Sequence, residues 1–233
     1  MNIALILSGG TGTRMGVDIP KQYIEVGGRY IISYSLECIL NHKEIDAVQI
    51  VADEAWRDLI TESMERILDN KKFKGFSEPG ANRQLSILNG LEDIRAYADD
   101  SDYVLIHDAA RPMLSPKQIT YCMAAAGRHD GVLPVLPMKD TVYSSDNGRT
   151  VTALLDRSTV FAGQAPEIFV LGKYYEANRQ LLPDKIIHIN GSTEPAIMAG
   201  MDIVMIEGDE NNFKITTRAD LERFRKIIQD RTE

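Results

Sequence analysis

Cysteine is scarce: the chain has two among 233 residues, Cys38 and Cys122. They lack metal-ligand spacing, and each lies in an apolar, helix-like stretch, so reduced core thiols are expected. Basic charge is also short. Lys and Arg number 26 against 34 Asp and Glu, giving a net charge of -8 and a pI near 5.1. A generic nucleic-acid binder needs the opposite excess, and no basic stripe with interleaved aromatics is present. Long hydrophobic runs are missing too. No window approaches the roughly 18 apolar residues of a membrane span. The first apolar run, through Ala4 to Leu7, is too short for a secretory leader and ends in glycines. No nucleic-acid or membrane partner is expected, and a cytoplasmic location is the default. What remains, 44% hydrophobic and 26% charged residues, is the composition of an ordinary globular protein. Its length fits a single domain over residues 1–233. An acidic average still permits a local basic pocket, which a phosphorylated ligand would require.

Short β-rich runs alternate with helical patterns. Asn2 to Leu7, Ala47 to Val51, Tyr103 to Ile106, Val132 to Leu136 and Asp202 to Ile206 read as strands, and Lys72 to Phe76 as a shorter one. Ile31 to Leu40, Trp56 to Leu68, Gln84 to Ala98, Lys117 to Ala126 and Asp220 to Gln229 read as helices. This alternation predicts an α/β fold with a mainly parallel sheet flanked by helices, whose ligands sit beyond the carboxyl ends of the strands. Residues 139–162 break the rhythm. They are rich in Thr and Val and contain Asp146-Asn147-Gly148, a hairpin-turn signal. A projecting β-arm is expected there. Its alternating apolar residues need a second surface, so a homodimer formed through the arm is expected.

The first strand runs into Leu7-Ser8-Gly9-Gly10-Thr11-Gly12-Thr13-Arg14-Met15-Gly16. Glycines let the backbone approach an anion and point N–H groups at it. The spacing is neither that of a dinucleotide fold nor that of a nucleotide-hydrolysing phosphate loop. Glycine alone would also serve packing. The stronger signal is Arg14 together with Lys21 of Pro20-Lys21-Gln22-Tyr23, two permanent cations beside the turn. They can hold phosphate as a fork and as a point charge. Farther on, Asp108 follows a buried strand in His107-Asp108-Ala109-Ala110-Arg111-Pro112. A carboxylate at that sheet edge suits a hard cation such as Mg²⁺, or alternatively caps the next turn. His107 reads more readily as a packed histidine than as an acid or base. Gly80-Ala81-Asn82-Arg83 before Ser86 reads by itself as a polar loop capping a helix.

Gly10-x-Gly12-x-Arg14-Met15-Gly16 followed by Pro20-Lys21-Gln22-Tyr23 resembles the signature of nucleotidyltransferases with a Rossmann-like domain. Within them the chain is similar to cytidylyltransferases acting on sugar-alcohol phosphates, in two branches. One makes CDP-ribitol from ribitol 5-phosphate. The other makes 4-diphosphocytidyl-2-C-methyl-D-erythritol. The resemblance extends over essentially the whole chain. It implies that Leu7, Ser8, Gly9, Gly10, Thr11, Gly12, Gly80, Ala81, Asn82, Arg83 and Ser86 bind the nucleotide CTP. It implies a metal-supporting role for Asp108 and acceptor-side roles for Arg111, Thr141, Arg157 and Lys214, with Arg157 reaching across a dimer interface. Catalysis would fall to Arg14, Lys21, Arg157 and Lys214.

The sequence also departs from the family. Gln164-Ala165-Pro166-Glu167 stands where Gln-Thr-Pro-Gln is usual, Asn190 to Pro195 is remodelled, and Asn211 replaces a frequent Asp. The turn should keep its fold with altered local contacts. The expected reaction is CMP transfer from CTP to a polyol phosphate with release of pyrophosphate. Ribitol 5-phosphate is the acceptor favoured from sequence. 2-C-methyl-D-erythritol 4-phosphate and a glycerol phosphate are the alternatives. A nucleotide-binding sensor on the same fold is the reading from outside enzymology.

Overall fold

The computed structural model describes residues 1–10, 19–65, 67 and 70–232, apart from the side chains of residues 70 and 232. The first half of the chain runs through β1 (Asn2–Leu7), β2 (Glu25–Val26), β3 (Arg29–Tyr30), α1 (Ile31–Leu40) and β4 (Ala47–Val51). It continues with α2 (Arg57–Glu65), β5 (Phe73–Ser77), α3 (Arg83–Ile94) and β6 (Tyr103–Asp108). The second half has α4 (Pro116–Ala126), β7 (Gly131–Pro137), β8 (Val142–Ser144), β9 (Ala153–Leu155), β10 (Phe161–Gly163) and β11 (Glu167–Val170). The last elements are α5 (Leu171–Arg179), α6 (Glu194–Met198), β12 (Ile203–Glu207) and α7 (Arg218–Thr232).

Eight strands form one sheet in the order β10-β7-β11-β6-β1-β4-β5, with β12 also on β7. The β1 strand is central because both its faces are apolar. Ala4 and Ile6 face one core with Leu36, Ile50 and Ile119, while Ile3 and Leu5 face the other with Ile87, Leu91 and Phe169. Side chains alternate across a strand, so an unbroken apolar run is what a doubly covered strand requires. β1, β4, β5 and β6 are parallel, as the βα alternation predicts. The sheet is mixed on the other side: β11 runs antiparallel to both β6 and β7.

Two expectations need correction. Residues 161 and 162 are not part of the arm; with Gly163 they return to the main sheet as β10 on β7. The arm proper is the β8–β9 pair, with Val142 opposite Leu155 and Ser144 opposite Ala153. Tyr143, Val151 and Leu154 are exposed on it. The other correction concerns β11 and α5, which sequence periodicity did not reveal. Glu167 opens the four-residue β11 with a buried charge, and α5 carries a polar face.

A third apolar cluster joins Val26, Ile31, Ile215, Leu221, Phe224 and Ile228. It fastens α7 to α1 and fixes the segment that carries Lys214. The Phe224 ring meets Tyr34 edge to face at 5.1 Å. Truncating this fully buried ring, Phe224→Ala, is expected to lower unfolding free energy by about 3–5 kcal/mol, read from urea denaturation.

Candidate active site

The carboxyl ends of β1 and β6, the start of α3 and the segment before α7 converge on a cavity of about 430 Å³. That is a volume ordinary for a small-molecule site. Leu7, Gly9, Gly10, Lys21, Gly80, Ala81, Asn82, Arg83, Ser86, Asp108 and Lys214 all line it. Residues distant in sequence thus meet in one place. Thr11, Gly12 and Arg14 lie outside the described residues. Among the described residues, the charged groups lining the cavity are Lys21, Arg83 and Lys214 and the carboxylate of Asp108. An acidic protein carries the local positive site that phosphate binding demands.

The glycine turn is held from behind. The Gln22 amide donates to the Ser8 carbonyl at 2.7 Å and to the Gly10 carbonyl at 2.9 Å. The Tyr23 hydroxyl donates to the Ser8 carbonyl at 3.0 Å and accepts from the Ser8 hydroxyl at 2.8 Å. Tyr23 is itself stacked on Trp56, with ring centroids 4.4 Å apart. Ser8 is therefore a buried brace rather than a lining residue. Gln22 and Tyr23 convert Pro20-Lys21-Gln22-Tyr23 into a clamp that presents Lys21 to the cavity. Gly9 is required by the close approach of the second loop, since a Cβ there would stand 2.7 Å from that of Pro79.

The second loop is self-supporting. Asn82 caps α3, its side-chain oxygen accepting from the Leu85 N–H at 2.8 Å. The Ser86 hydroxyl donates to the Asn82 carbonyl and accepts from the Gly80 N–H, both at 2.9 Å. Ser86 thereby shapes the loop at the cavity wall. The amino terminus of α3 faces the cavity, and its helix dipole favours an anion there.

Asp108 is the hub. It is the last residue of β6 and only 7% exposed. Its Oδ1 accepts from Arg83 Nε at 3.3 Å and Nη2 at 3.2 Å. Its Oδ2 lies 3.0 Å from Lys214 Nζ and 3.5 Å from Arg111 Nε. Burial pushes the carboxyl up, but Arg83, Lys214 and Arg111 together hold it well below the usual carboxylate range. The expected metal role fits this arrangement poorly. Both oxygens face cations. A Mg²⁺ ion on Asp108 would have to displace a cation at close range.

Arg111 does not line the cavity. It stands behind Asp108, with Nη1 donating to the Asn212 carbonyl at 2.7 Å. His107 is fully buried, and burial pushes its pKa down to about 4. It is neutral, donating from Nε2 to the Arg111 carbonyl at 3.1 Å, which makes it a packed histidine. Thr141 and Arg157 are not among the lining residues either. Both are exposed on the arm segment, where Arg157 Nη1 donates to the Lys139 carbonyl at 2.8 Å. Sequence reasoning missed Gln22, Ala110 and Thr216, all of which line the cavity. Gln22 and Ala110 lie within the motifs already noted, and Thr216 is two residues from Lys214.

The family model described as "IspD: 2-C-methyl-D-erythritol 4-phosphate cytidylyltransferase" matches residues 2–230. A 2-C-methyl-D-erythritol 4-phosphate cytidylyltransferase of Pseudomonas fluorescens is 36% identical over 231 residues, 96% of this chain and 94% of that protein. A ribitol-5-phosphate cytidylyltransferase of Vibrio parahaemolyticus is 33% identical over 229 residues, 98% of this chain and 96% of that protein. The solved 4-diphosphocytidyl-2C-methyl-D-erythritolsynthase of Anaerococcus prevotii superposes with a TM-score of 0.84 at 24% identity, covering 98% of this chain and 96% of that one.

Replacing the hub carboxylate, Asp108→Asn, leaves three cations crowded without their counter-charge. Unfolding free energy at neutral pH is expected to fall by about 3–5 kcal/mol. The folded-state pKa is depressed, so the stabilisation is present above the unfolded value near 3.9 and is lost as pH falls through the lower folded value. The difference between wild type and variant should accordingly narrow below about pH 4 in acid-denaturation curves.

Proposed function

The chain belongs to the IspD family of cytidylyltransferases, and from that premise we propose that its cavity joins CTP to a polyol phosphate. An oxygen of the acceptor phosphate attacks the α-phosphorus of CTP. The bond from that phosphorus to the oxygen bridging the β-phosphorus breaks, and pyrophosphate leaves. The acceptor is already a nucleophile, so no serine, cysteine or histidine base is required. Two anions must meet and charge builds up on the phosphoryl oxygens, so rate comes from positioning and electrostatic stabilisation.

The observation that carries this reading is the gathering of Lys21, Arg83, Lys214 and the Asp108 carboxylate on one cavity. Lys21, with Arg14 beside it in sequence, is assigned to the triphosphate and the departing pyrophosphate. Gly80 to Ser86 and the turn from Leu7 to Gly12 are assigned to the nucleotide. Lys214 and Arg83 are assigned to the phosphates at the reaction centre, with Arg111 behind Asp108. Mg²⁺ is assigned to CTP as part of the substrate, neutralising phosphate charge, because Asp108 is committed to cations.

For the acceptor, 2-C-methyl-D-erythritol 4-phosphate is favoured by the family model and by the Pseudomonas fluorescens relative. Ribitol 5-phosphate is the second reading, favoured by the Vibrio parahaemolyticus relative. The altered Gln164 to Glu167 turn and the remodelled Asn190 to Pro195 segment leave the acceptor side less constrained than the nucleotide side. Pyrophosphate release with CTP and Mg²⁺ separates them when both acceptors and glycerol phosphates are supplied in parallel. Release with one acceptor supports the cytidylyltransferase reading and selects the substrate; silence with all favours the sensor reading.

Lys21→Ala is expected to lower turnover about 10²- to 10³-fold with an unchanged circular-dichroism spectrum. Near-normal turnover would remove Lys21 from the mechanism.

The protein is further proposed to act as a homodimer, each arm serving the partner's cavity with Thr141 and Arg157. The support is that neither residue lines its own chain's cavity, while the arm leaves Tyr143, Val151 and Leu154 exposed. A dimer mass is expected from light scattering, and Leu154→Asp is expected to shift it toward monomer.

A further inference from the structure

Thr216 lines the cavity two residues after Lys214, and its hydroxyl proton already has a partner. Thr216 Oγ1 donates to Asp220 Oδ2 at 2.8 Å, and the Thr216 N–H donates to the same oxygen at 2.9 Å. Asp220 is held in turn at the start of α7. It accepts from the Thr217 N–H and hydroxyl, both at 2.8 Å, while its own N–H donates to Thr217 Oγ1 at 3.2 Å. Thr217 and Asp220 thus form a reciprocal cap on the helix. That cap is complete with Thr217 alone. The two bonds to Thr216 go beyond it and tie the cavity wall to the helix start.

Charge fixes the direction of these bonds. Burial pushes the Asp220 carboxyl up, but hydrogen bonds from Thr216 and Thr217 hold its pKa down to about 2. An ionised carboxylate only accepts, so the Thr216 hydroxyl donates. A hydroxyl has one proton and two lone pairs. With its proton committed to Asp220, Thr216 Oγ1 offers the cavity lone pairs alone. Phosphate oxygens are acceptors too, and their match is the cationic set of Lys21, Arg83 and Lys214. The complement of Thr216 is a hydrogen-bond donor on the ligand.

We propose that Thr216 is a specificity-determining residue that accepts a hydrogen bond from a hydroxyl of a bound substrate, with Asp220 as its positioning residue. The inference rests on the reading of the cavity as a CTP and polyol-phosphate site. Both substrates carry the required group, CTP on its ribose and the acceptor along its polyol chain. Lys214, two residues away, is assigned to the phosphates at the reaction centre. Those phosphates join ribose on one side and the polyol on the other, so hydroxyls flank them in both directions. The cytosine amino group is also a donor, but it is the end of CTP farthest from the reacting phosphorus.

The test measures pyrophosphate release with Mg²⁺, CTP and whichever of the acceptors named above the wild type uses, for wild type, Thr216→Val and Thr216→Ser. Valine keeps the branched shape and removes the hydroxyl; serine keeps the hydroxyl. Thr216→Val is expected to lower kcat/KM about tenfold, and Thr216→Ser less than about threefold. The same enzymes are then given 2′-deoxy-CTP, 3′-deoxy-CTP and acceptor analogues that each lack one hydroxyl. One analogue should lower wild-type kcat/KM about tenfold and that of Thr216→Val less than about threefold, because the two changes remove the same hydrogen bond. A deoxynucleotide with this behaviour places the partner on ribose, and a deoxypolyol places it on the acceptor; either supports the inference. Thr216→Ala supplies a second hydroxyl-free probe if Thr216→Val fails to fold. Near-normal kcat/KM without the Thr216 hydroxyl, or equal losses in wild type and variant with every analogue, would overturn the inference. Wild-type silence with every acceptor would overturn the reading of the cavity and the inference with it.

Discussion

One buried ion-pair cluster organises the molecule. Asp108 ends a central strand with both oxygens facing cations contributed by α3, by the turn after β6 and by the segment before α7. Such clusters contribute little net stability, because desolvation offsets most of the attraction. Their consequence here is geometric. Arg83 and Lys214 would repel each other in any arrangement lacking the carboxylate, so the same carboxylate that lowers the positive charge also fixes where it points. The glycine turn and the capped α3 loop are then two walls built against a floor whose charges are already set.

The rest of the site follows a similar division of labour. Gln22, Tyr23, Ser8 and Ser86 direct their polar atoms into the protein, satisfying loop carbonyls and N–H groups. Lys21 and Lys214 line the cavity, Lys214 paired with Asp108. Preorganisation of this kind matters for phosphoryl chemistry, where the protein must stabilise charge without rearranging during the reaction.

Much of the fold was legible in the chain because its strands announce themselves. Ile3 to Leu7 is an unbroken apolar run, and Ala47 to Val51 is apolar but for Gln49, the pattern of doubly covered strands. Glu167 to Val170 was not legible. Four residues beginning with Glu after a proline look like a loop, and only tertiary partners such as Ser192 make the charge tolerable. The site divides the same way. Lys21 and the glycines stood out because cations beside glycine have a direct chemical meaning. The position of Asp108 was legible, but its ion-pair partners were not, since Arg83 and Lys214 are separated from it by 25 and 106 positions. Gln22 was missed because an amide donating to two backbone carbonyls has no signature in sequence.

The antiparallel β11 has a consequence for synthesis. In the described sheet, β7, β10 and β12 connect to β6 only through this strand. When β7 emerges from the ribosome it has no neighbour in the earlier half of the sheet, and β11 joins it to that half only after about thirty more residues, at Val170. At a translation rate of roughly 5–20 residues per second, that interval lasts about 2–7 seconds. For those seconds the nascent chain carries an unmatched strand edge, and the exposed arm emerges within the same window.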